Sequence, residues 1–332
     1  MPKTTSEMTR NGALGSTRIS LPTVGVGAGS LANAAGQHKF AEMITTAWQA
    51  NVRYFDTSAL YLGGQSEERL GAALRGLPRN ELFVSTKLGR YLTHPGESSL
   101  PGSNSSYYFD YSYDTTLASV ERSLSRLEVD FLDIVFIHDL DPGFAKDAYE
   151  DELISAREGA YRALRHLKEQ QVIGAIGIAS MDWRACLKFA QLVPLDVVMP
   201  AGEYSLLRNR SQALLDYCGA NNIAWVAASP LNSGILATGA QANAFYHMQP
   251  ASDSALAQVD AIAAICQRHN VALATAAMQF PLRQPSVSSI VFGAKTSEEF
   301  NETFARISST VPNEFWHELN AYLDKTRNWE GN

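Results

Sequence analysis

The regular alternation of short apolar segments with helical periodicities constrains the fold of this chain more than any other feature. Short runs rich in Val, Ile and Phe that alternate with helices indicate a parallel sheet covered on both faces. Eight such units predict an α/β fold in which eight parallel strands close into a barrel. The candidate strands are residues 24–28, 53–56, 82–87, 132–138, 175–179, 196–199, 223–228 and 288–292. Helical periodicities cover residues 38–51, 66–77, 115–127, 157–171, 182–192, 209–221, 255–282 (long enough for two helices), 296–307 and 312–325.

The length of the chain fits one large domain. Barrels of this kind run to about 250 residues and grow with insertions. The 332 residues include no Pro/Gly/Ser-rich linker between two compact halves, so we predict a single domain over residues 1–332. Residues 12–22, GALGSTRISLP, place turn residues between short β-compatible pieces. This pattern predicts an N-terminal hairpin that closes one end of the barrel.

Charge, hydropathy and cysteine content exclude several classes of protein. The net charge of -7, without any block of Lys and Arg, argues against a nucleic-acid partner. The first residues are polar and no apolar run approaches the roughly 20 residues that span a bilayer. We therefore expect no membrane partner and a cytoplasmic location. The widely spaced Cys186, Cys218 and Cys266 lie in apolar helical contexts, which predicts buried free thiols in a reducing compartment. No metal site is predicted.

The glycine-rich segment VGVGAG at residues 24–29 invites comparison with a dinucleotide-binding turn. That fingerprint needs the spacing G-x-G-x-x-G and a helix that begins at once. Here the glycines are Gly25, Gly27 and Gly29, and the next helical pattern begins only near residue 38. The sequence therefore disfavours a doubly wound fold.

Polar side chains with complementary chemistry lie at or just after the ends of three successive candidate strands. Asp56 ends the second strand and Tyr61 follows in the next loop, while Lys87 and His138 end the third and fourth strands. Taken singly, each has an ordinary structural explanation: an Asp forms turns or caps helices, a Tyr packs, and a Lys extends to solvent. Together they lie where a barrel carries its active site. A phenol with a pKa of about 10 needs a nearby cation to exchange protons near neutral pH.

Two connections are longer than a barrel requires. Residues 90–114 follow the Lys87 strand and contain five tyrosines, namely Tyr91, Tyr107, Tyr108, Tyr111 and Tyr113, and residues 231–253 follow the seventh strand. Long loops on the carboxyl side of a barrel build substrate specificity. The tyrosines either hold the loop against the barrel or line a substrate pocket. Tyr91, Tyr108 and Tyr111 are the candidates for substrate contact.

The motifs around the polar side chains resemble a known family. The segments FDTSALY at residues 55–61, STK at 85–87 and FIH at 136–138 are similar to the catalytic tetrad of the aldo-keto reductases. The resemblance covers about residues 19–323. It implies a (β/α) TIM barrel of eight strands, with N-terminal hairpin and extra helices, that binds a nicotinamide cofactor at the carboxyl ends of its strands.

The resemblance assigns a role to each residue of the tetrad. Tyr61 is the expected general acid and base, Lys87 lowers its pKa, Asp56 keeps Lys87 charged, and His138 orients the reacting oxygen. Physical chemistry agrees with this division, because an ammonium favours a phenolate and a carboxylate favours the ammonium. A neutral His138 can donate one hydrogen bond to the substrate oxygen. Tyr61 and His138 are therefore also expected to contact the substrate.

The expected cofactor site departs from the family pattern at several strand ends. Ala179 and Ser180 stand where many relatives have Ser-Asn to hold the nicotinamide amide, Ala201 where a Gln is common, and Ala228 where a Tyr often stacks on the ring. The contacts to the cofactor must therefore be rearranged. The expected cofactor-binding residues are Gly27, Ser180, Ser229, Leu231, Asn232, Ser233, Gly293, Lys295 and Glu299.

The choice between NAD and NADP rests on the segment after the last strand. Gly293 and Glu299 match positions that are often Lys and Arg in NADPH-using relatives, where both bind the adenosine phosphate. Glu299 would repel a phosphate and can accept from a ribose hydroxyl. NAD is therefore favoured. Lys295 lies close enough for NADP to stay possible, and an acidic helix start also has a structural explanation.

The resemblance is greatest to a branch that oxidises sugars and pyridoxal. We expect oxidation of the anomeric hydroxyl of a free aldose to a lactone, with hydride transfer to the nicotinamide. Pyridoxal oxidation, through a hemiacetal with a similar ring hydroxyl, is the nearest alternative. NADPH-dependent reduction of aldehydes and a nucleotide-binding regulatory subunit are further alternatives. The expected ligand is a small molecule, and the oligomeric state stays open.

Overall fold

The predicted strands form a closed parallel barrel in the computed structural model, which describes residues 11–13, 17, 20–34, 36–94 and 106–326. Each strand pairs with its neighbours in chain order, and β8 pairs with β1 to close the barrel. The α/β barrel prediction is confirmed. The strands are β1 Val24–Gly27, β2 Tyr54–Asp56, β3 Phe83–Leu88, β4 Leu132–His138, β5 Ile173–Ser180, β6 Val197–Pro200, β7 Ala224–Ala228 and β8 Val287–Phe292.

Successive residues of a strand face opposite sides of the barrel wall. In β4, Ile134 and Phe136 belong to the interior cluster, whereas Val135 and Ile137 pack against the surrounding helices. Burying one such side chain fully contributes about 1.5–3 kcal/mol. A shift of one residue would exchange the two faces, so the pattern fixes the register that places the polar strand ends.

Helices cover the outside of the barrel and fill the connections. Most predicted helices are present within a few residues of their expected bounds, and the 255–282 segment divides into two. The α-helices are Ala28–Ala34, Gln37–Gln49, Gln65–Leu74, Tyr113–Leu127, Pro142–Ala145, Tyr149–Ser155, Tyr161–Glu169, Trp183–Leu192, Gln212–Asn221, Ile235–Thr238, Asp253–Arg268, Leu273–Gln279, Ser297–Ile307 and Asn313–Lys325. A π-helical segment, Ala156–Ala160, precedes Tyr161–Glu169. Short 3-10 turns are Tyr61–Gly64, Arg79–Glu81, Lys146–Ala148, Asn232–Gly234 and Pro281–Arg283.

The N-terminal hairpin is confirmed. Asn11–Ala13 pairs antiparallel with Ser20–Pro22. Leu21 is fully buried in the interior cluster together with Tyr54 and Phe83, so the hairpin covers the end of the barrel opposite the carboxyl ends of the strands. The residues that join the two strands, including Ile19 where the predicted core begins, lie outside the described residues apart from residue 17.

The expectation that the first helix begins near residue 38 is wrong. Ala28–Ala34 begins directly after β1, before the expected helix Gln37–Gln49. Gly29 and the small polar residues of this segment give little helical periodicity. A Cβ atom on Gly29 would lie 3.0 Å from the Tyr61 ring, so the glycine lets this helix approach the candidate site closely. The fold is nevertheless a barrel and not a doubly wound sheet.

Both long connections contain short hairpins. Arg90–Leu92 pairs with Tyr107–Phe109 after β3, and the intervening residues 95–105 lie outside the described residues. After β7, Phe245–Tyr246 pairs with Gln249–Pro250 through a turn in which His247 and Met248 both have positive φ. Each hairpin extends from the carboxyl side of the barrel, where the polar strand ends lie.

Candidate active site

A buried ion pair lies at the carboxyl ends of β2 and β3. Lys87 Nζ donates to Asp56 Oδ2 at 2.5 Å and to the Thr57 carbonyl at 2.8 Å. Both side chains are at most 5% exposed. Ser85 Oγ donates to Asp56 Oδ1 at 2.6 Å, so each carboxylate oxygen has a partner. Burial lowers the pKa of Lys87, but the charge and hydrogen bonds of Asp56 and Tyr61 outweigh burial and raise the pKa overall.

Tyr61 begins a tight turn above this ion pair. The turn Tyr61–Gly64 holds Leu62 at φ 53 and Gly64 at φ 98, conformations that cost an L-residue energy and that glycine tolerates. Lys87 Nζ lies 5.2 Å from the centroid of the half-buried Tyr61 ring. Burial raises the pKa of the Tyr61 phenol, Lys87 lowers it, and burial prevails. The expected effect of Lys87 is therefore present, but it does not set the net direction.

His138 ends β4 with both ring nitrogens close to polar atoms. Its ring meets Tyr61 edge to face, with centroids 6.1 Å apart. Nδ1 lies 3.1 Å from Ser58 Oγ, and Nε2 lies 3.5 Å from Asp139 Oδ2. Burial, followed by the charges of Lys87 and Arg90, holds the pKa of His138 well below its ordinary value. The imidazole is therefore neutral near pH 7, as expected. All four tetrad residues surround one small region.

Asp139 and Arg90 form a second buried ion pair beside His138 that sequence reasoning missed. Arg90 Nη1 donates to Asp139 Oδ2 at 2.6 Å. The guanidinium also lies over Tyr107 at 4.2 Å and Phe144 at 4.0 Å from their ring centroids, an arrangement that suits its planar cation. Burial raises the pKa of Asp139 and Arg90 opposes that shift. The sequence signal that could have indicated this pair is its position: Asp139 directly follows His138, and Arg90 lies two residues after the end of β3.

The candidate substrate tyrosines differ in their placement. Tyr111 is fully buried and its hydroxyl donates to the His138 carbonyl at 2.6 Å. This placement corrects the expectation of substrate contact, since Tyr111 supports His138 from within the protein. Tyr91 and Tyr108 face each other across the first hairpin, with ring centroids 5.3 Å apart. Tyr108 is 49% exposed and keeps accessible surface on the carboxyl side, whereas the hydroxyl of Tyr91 is buried.

Small residues leave the backbone accessible at the ends of β7, β8 and β1. We call Ala228, Gly293 and Gly27 the small-residue shelf; all three are partly exposed, and their strands are neighbours in the barrel. A Cβ atom on Gly293 would lie 3.1 Å from Ser30 Oγ, and one on Gly27 would lie 3.3 Å from Val291 Cγ1. The shelf therefore has little room for larger side chains, and it presents main chain to the carboxyl face of the barrel.

The loop after β7 adjoins this shelf. Ser229 and Ser233 have φ values of 56 and 58 and are exposed, and Leu231 is half-buried. Ser233 Oγ accepts from Met248 N at 2.9 Å, which ties the loop to the second hairpin. Asn232 is buried, where it accepts from Ser205 Oγ and donates to the Gly202 carbonyl at 3.1 Å. Its side chain stabilises the loop, so a direct contact of that amide with a cofactor does not fit this geometry.

The remaining expected cofactor residues are also engaged by the protein. Ser180 Oγ donates its one proton to Asp141 Oδ2 at 2.7 Å and accepts from Asp182 N at 3.0 Å. Ser180 can therefore only accept from a nicotinamide amide. Glu299 Oε2 accepts from Lys295 N at 2.9 Å at the start of helix Ser297–Ile307. Glu299 thus has the structural role of a helix start, while Lys295 and Glu299 are both exposed.

The sequence also makes predictions about the cysteines, the hydropathy of the helices and possible metal ligands. Cys186, Cys218 and Cys266 are buried free thiols, as predicted. In the part of the chain that the structure describes, no helix combines the length and hydropathy needed to cross a membrane. The same residues include no group of three or more His, Cys, Asp or Glu side chains arranged to hold a metal ion.

Similarity to known proteins agrees with this architecture. D-threo-aldose 1-dehydrogenase from a Pseudomonas species is 33% identical, with coverage of 91% of this chain and 94% of the relative. Pyridoxal 4-dehydrogenase of Microbacterium luteolum is 31% identical, with coverage of 92% and 95%. L-galactose dehydrogenase of Arabidopsis thaliana is 27% identical, with coverage of 95% of each chain.

Solved structures and a family model extend the comparison. The glycerol dehydrogenase of Gluconobacter oxydans superposes with a TM-score of 0.73 at 19% identity, over 96% of each chain, which supports the fold alone. The sequence model of the Aldo/keto reductase family matches residues 23–324. This match spans the barrel and every strand end described above, and it agrees with the resemblance seen in the motifs. The chain belongs to the aldo/keto reductase family of oxidoreductases.

Proposed function

We propose that this protein oxidises the anomeric hydroxyl of a free aldose to a lactone and transfers the hydride to NAD. The observation that carries the proposal is the buried Lys87–Asp56 pair close to the Tyr61 ring, with the His138 imidazole packed edge to face against the same ring. This arrangement has the parts needed to move one proton at a carbon that exchanges hydride. Similarity to two sugar dehydrogenases supports the choice of an aldose.

Each side chain has a distinct task in the proposed reaction. His138 holds the substrate oxygen by donating a hydrogen bond from its neutral ring. Tyr61 as phenolate takes the hydroxyl proton, and Lys87 stabilises the negative charge that the phenol acquires. Asp56 keeps Lys87 positive. In the reverse direction, the Tyr61 phenol returns the proton to the carbonyl oxygen.

Members of this family use nicotinamide cofactors, and the residues present here fit such a group. The small-residue shelf of Gly27, Ala228 and Gly293 is partly exposed and presents main chain at the carboxyl face of the barrel. Ser229 and Ser233 present exposed hydroxyls on a loop with positive φ angles, a geometry that suits phosphate oxygens. When bound, the nicotinamide accepts or supplies the hydride.

We favour NAD over NADP because the segment after β8 lacks a dedicated phosphate contact. Gly293 carries no charge, and Glu299 would repel an adenosine phosphate. One oxygen of Glu299 accepts from the Lys295 main chain, which leaves the other oxygen to accept from a ribose hydroxyl. Lys295 is exposed and is the remaining cation in this segment, so it is the residue through which NADP would gain affinity.

A substrate and cofactor panel tests the proposal. Purified protein is mixed with NAD or NADP and a set of aldoses, and the absorbance of the reduced nicotinamide is followed. We expect turnover with NAD and at least one aldose, and formation of a lactone that hydroxylamine traps. Turnover only with NADPH and aldehydes would replace the proposal with a carbonyl reductase. Tight nucleotide binding without turnover on any sugar or carbonyl would replace it with a regulatory subunit.

Pyridoxal is the second candidate substrate, because a relative of 31% identity is a pyridoxal 4-dehydrogenase. Pyridoxal forms a cyclic hemiacetal whose ring hydroxyl resembles the anomeric hydroxyl of a sugar, so the same side chains would serve. The two candidates are separated by kcat/KM in the same assay. A higher kcat/KM for pyridoxal than for every aldose would identify pyridoxal as the preferred substrate.

A further inference from the structure

Ser58 lies behind the imidazole of His138, between the tetrad residues Asp56 and Tyr61 in the chain. Its side chain is fully buried. Within the described residues, Ser58 Oγ has two hydrogen-bond partners: the Leu60 main-chain N–H at 3.1 Å and His138 Nδ1 at 3.1 Å. No solvent reaches this contact, so the protons of the two side chains must be arranged between these groups.

Counting protons decides the direction of the contact. The Leu60 N–H can only donate, so Ser58 Oγ accepts from it. If His138 Nδ1 also carried a proton, Ser58 would accept twice and its own buried O–H would lack an acceptor, which is costly. If Nδ1 is unprotonated, the Ser58 O–H donates to it and every group is satisfied. A neutral imidazole then carries its proton on Nε2.

The other side of the ring leads independently to the same tautomer. His138 Nε2 lies 3.5 Å from Asp139 Oδ2, an oxygen that also accepts from Arg90. A carboxylate oxygen is an acceptor only. An unprotonated Nε2 would place two acceptors against each other, whereas an Nε2–H group is attracted to the carboxylate. Ser58 and Asp139 therefore favour one arrangement of the ring from opposite sides.

We propose that Ser58 is a positioning residue that holds His138 as the neutral tautomer with its proton on Nε2. This tautomer has the donor that a substrate oxygen beside Tyr61 requires, and the other neutral tautomer would present a lone pair to that oxygen. The consequence for turnover rests on the proposed function of His138. The tautomer itself does not depend on that function, so an experiment can refute the tautomer and the proposed function of His138 separately.

Nitrogen NMR measures the tautomer directly. The full-length protein is labelled with 15N-histidine and saturated with NAD, and long-range 1H–15N spectra are recorded. His138→Gln identifies the resonances of His138 by their loss. We expect a protonated Nε2 and an unprotonated Nδ1. A spectrum with the proton on Nδ1, or with both nitrogens protonated at pH 7, would overturn the proposal without any activity measurement.

Ser58→Ala tests whether the hydroxyl sets the tautomer. We expect loss of the pure Nε2–H signature and a fall of about tenfold to a hundredfold in kcat, with KM for NAD unchanged. Ser66→Ala is the matched control, because Ser66 is equally buried but forms its hydrogen bond with Thr57 Oγ1, at 2.9 Å, and not with His138. It should leave the His138 signature and kcat unaltered.

The remaining outcomes are decisive as well. A folded Ser58→Ala protein that keeps the pure Nε2–H signature would overturn the positioning role. If Ser58→Ala does not fold, the wild-type spectrum still determines the tautomer. Ser58→Cys then tests the role of the hydroxyl, because a thiol is a weaker donor. A mixture of the two tautomers in Ser58→Cys would support the positioning role, and a pure Nε2–H signature would overturn it. Unchanged turnover in His138→Gln would refute the proposed function of His138 while the spectrum still judged the tautomer.

Discussion

Lys87 and Asp56 form an ion pair at 2.5 Å with both side chains almost completely excluded from solvent. Removing one partner of such a pair leaves an uncompensated buried charge, which typically costs about 3–5 kcal/mol. We therefore expect Asp56→Asn to lower the free energy of unfolding by about this amount and to remove most activity. Urea denaturation measures the first effect and steady-state turnover the second.

The exposed pair Arg75–Glu128 is the control for this prediction. Its geometry is similar, but its side chains are 67% and 44% exposed, so water screens the interaction. Glu128→Gln should barely change the denaturation midpoint and should leave turnover intact. Equal destabilisation by Asp56→Asn and Glu128→Gln would show that burial does not distinguish the two pairs.

The pKa of Tyr61 predicts opposite pH profiles for the two reaction directions. Because burial raises the pKa of Tyr61 more than Lys87 lowers it, the phenol is protonated near neutral pH. Reduction uses the phenol and should persist at neutral pH and fall as pH rises through the raised pKa. Oxidation uses the phenolate, so kcat should increase as pH rises. Initial rates over an alkaline pH series measure both.

Lys87→Met supplies the matching test of cause. Removing the ammonium should raise the pKa of Tyr61 further and move the alkaline limb of the profile to higher pH. A limb that stays in place, or an oxidation rate independent of pH in the unaltered protein, would contradict the assignment of the titrating group to Tyr61.

Arg90 predicts how His138 responds to acid. Burial, Lys87 and Arg90 together lower the pKa of His138, so turnover should not lose activity through His138 protonation as pH falls through about 6.5, the ordinary pKa of histidine. Arg90→Met removes one of these causes and leaves Asp139 without its partner, so the pKa of His138 should rise and an acid limb should appear. Arg90→Lys keeps the charge and should restore most of the flat profile. An acid limb in the unaltered protein would contradict this account.

Glu299→Arg tests the placement of the adenosine. A cation in place of Glu299 would form a charge-assisted contact with the adenosine phosphate of NADP, so the ratio of kcat/KM for NADP to that for NAD should rise roughly tenfold to a hundredfold. Glu298→Arg is the control, since its side chain is exposed on the same helical turn. An unchanged ratio in Glu299→Arg, or an equal rise in both variants, would mean that the adenosine lies elsewhere.

The sequence predicted the barrel because the information is local. Each strand is a short run of residues buried on both faces, so the run can be recognised without its neighbours. The last residue of each run marks the carboxyl end of that strand. The sequence alone therefore places Asp56, Lys87 and His138 at one end of the barrel. Helix Ala28–Ala34 was missed because its glycine and small polar residues carry almost no periodic signal, and its stability comes from packing, as for the fully buried Leu31.

The surroundings of His138 could not be predicted because they depend on contacts between distant segments. In the sequence, Ser58 is an ordinary loop serine and Arg90 an ordinary cation. In the fold, Ser58 contacts the His138 imidazole and Arg90 binds the neighbouring Asp139 carboxylate. The same reason applies to Tyr111, whose hydroxyl reaches the His138 carbonyl across the fold. Residue type indicated a possible substrate contact, whereas burial assigns this tyrosine a supporting role.

Removal of the Tyr61 hydroxyl is the sharpest test of the proposed mechanism, because this hydroxyl takes part only in the proton step. Tyr61→Phe removes one oxygen and keeps the ring that contacts Lys87 and His138. We predict loss of nearly all turnover with the best substrate of the panel, while the dissociation constant for NAD, measured by calorimetry, stays within about twofold. A Tyr61→Phe protein that kept its turnover would contradict the claim that this phenol moves the proton.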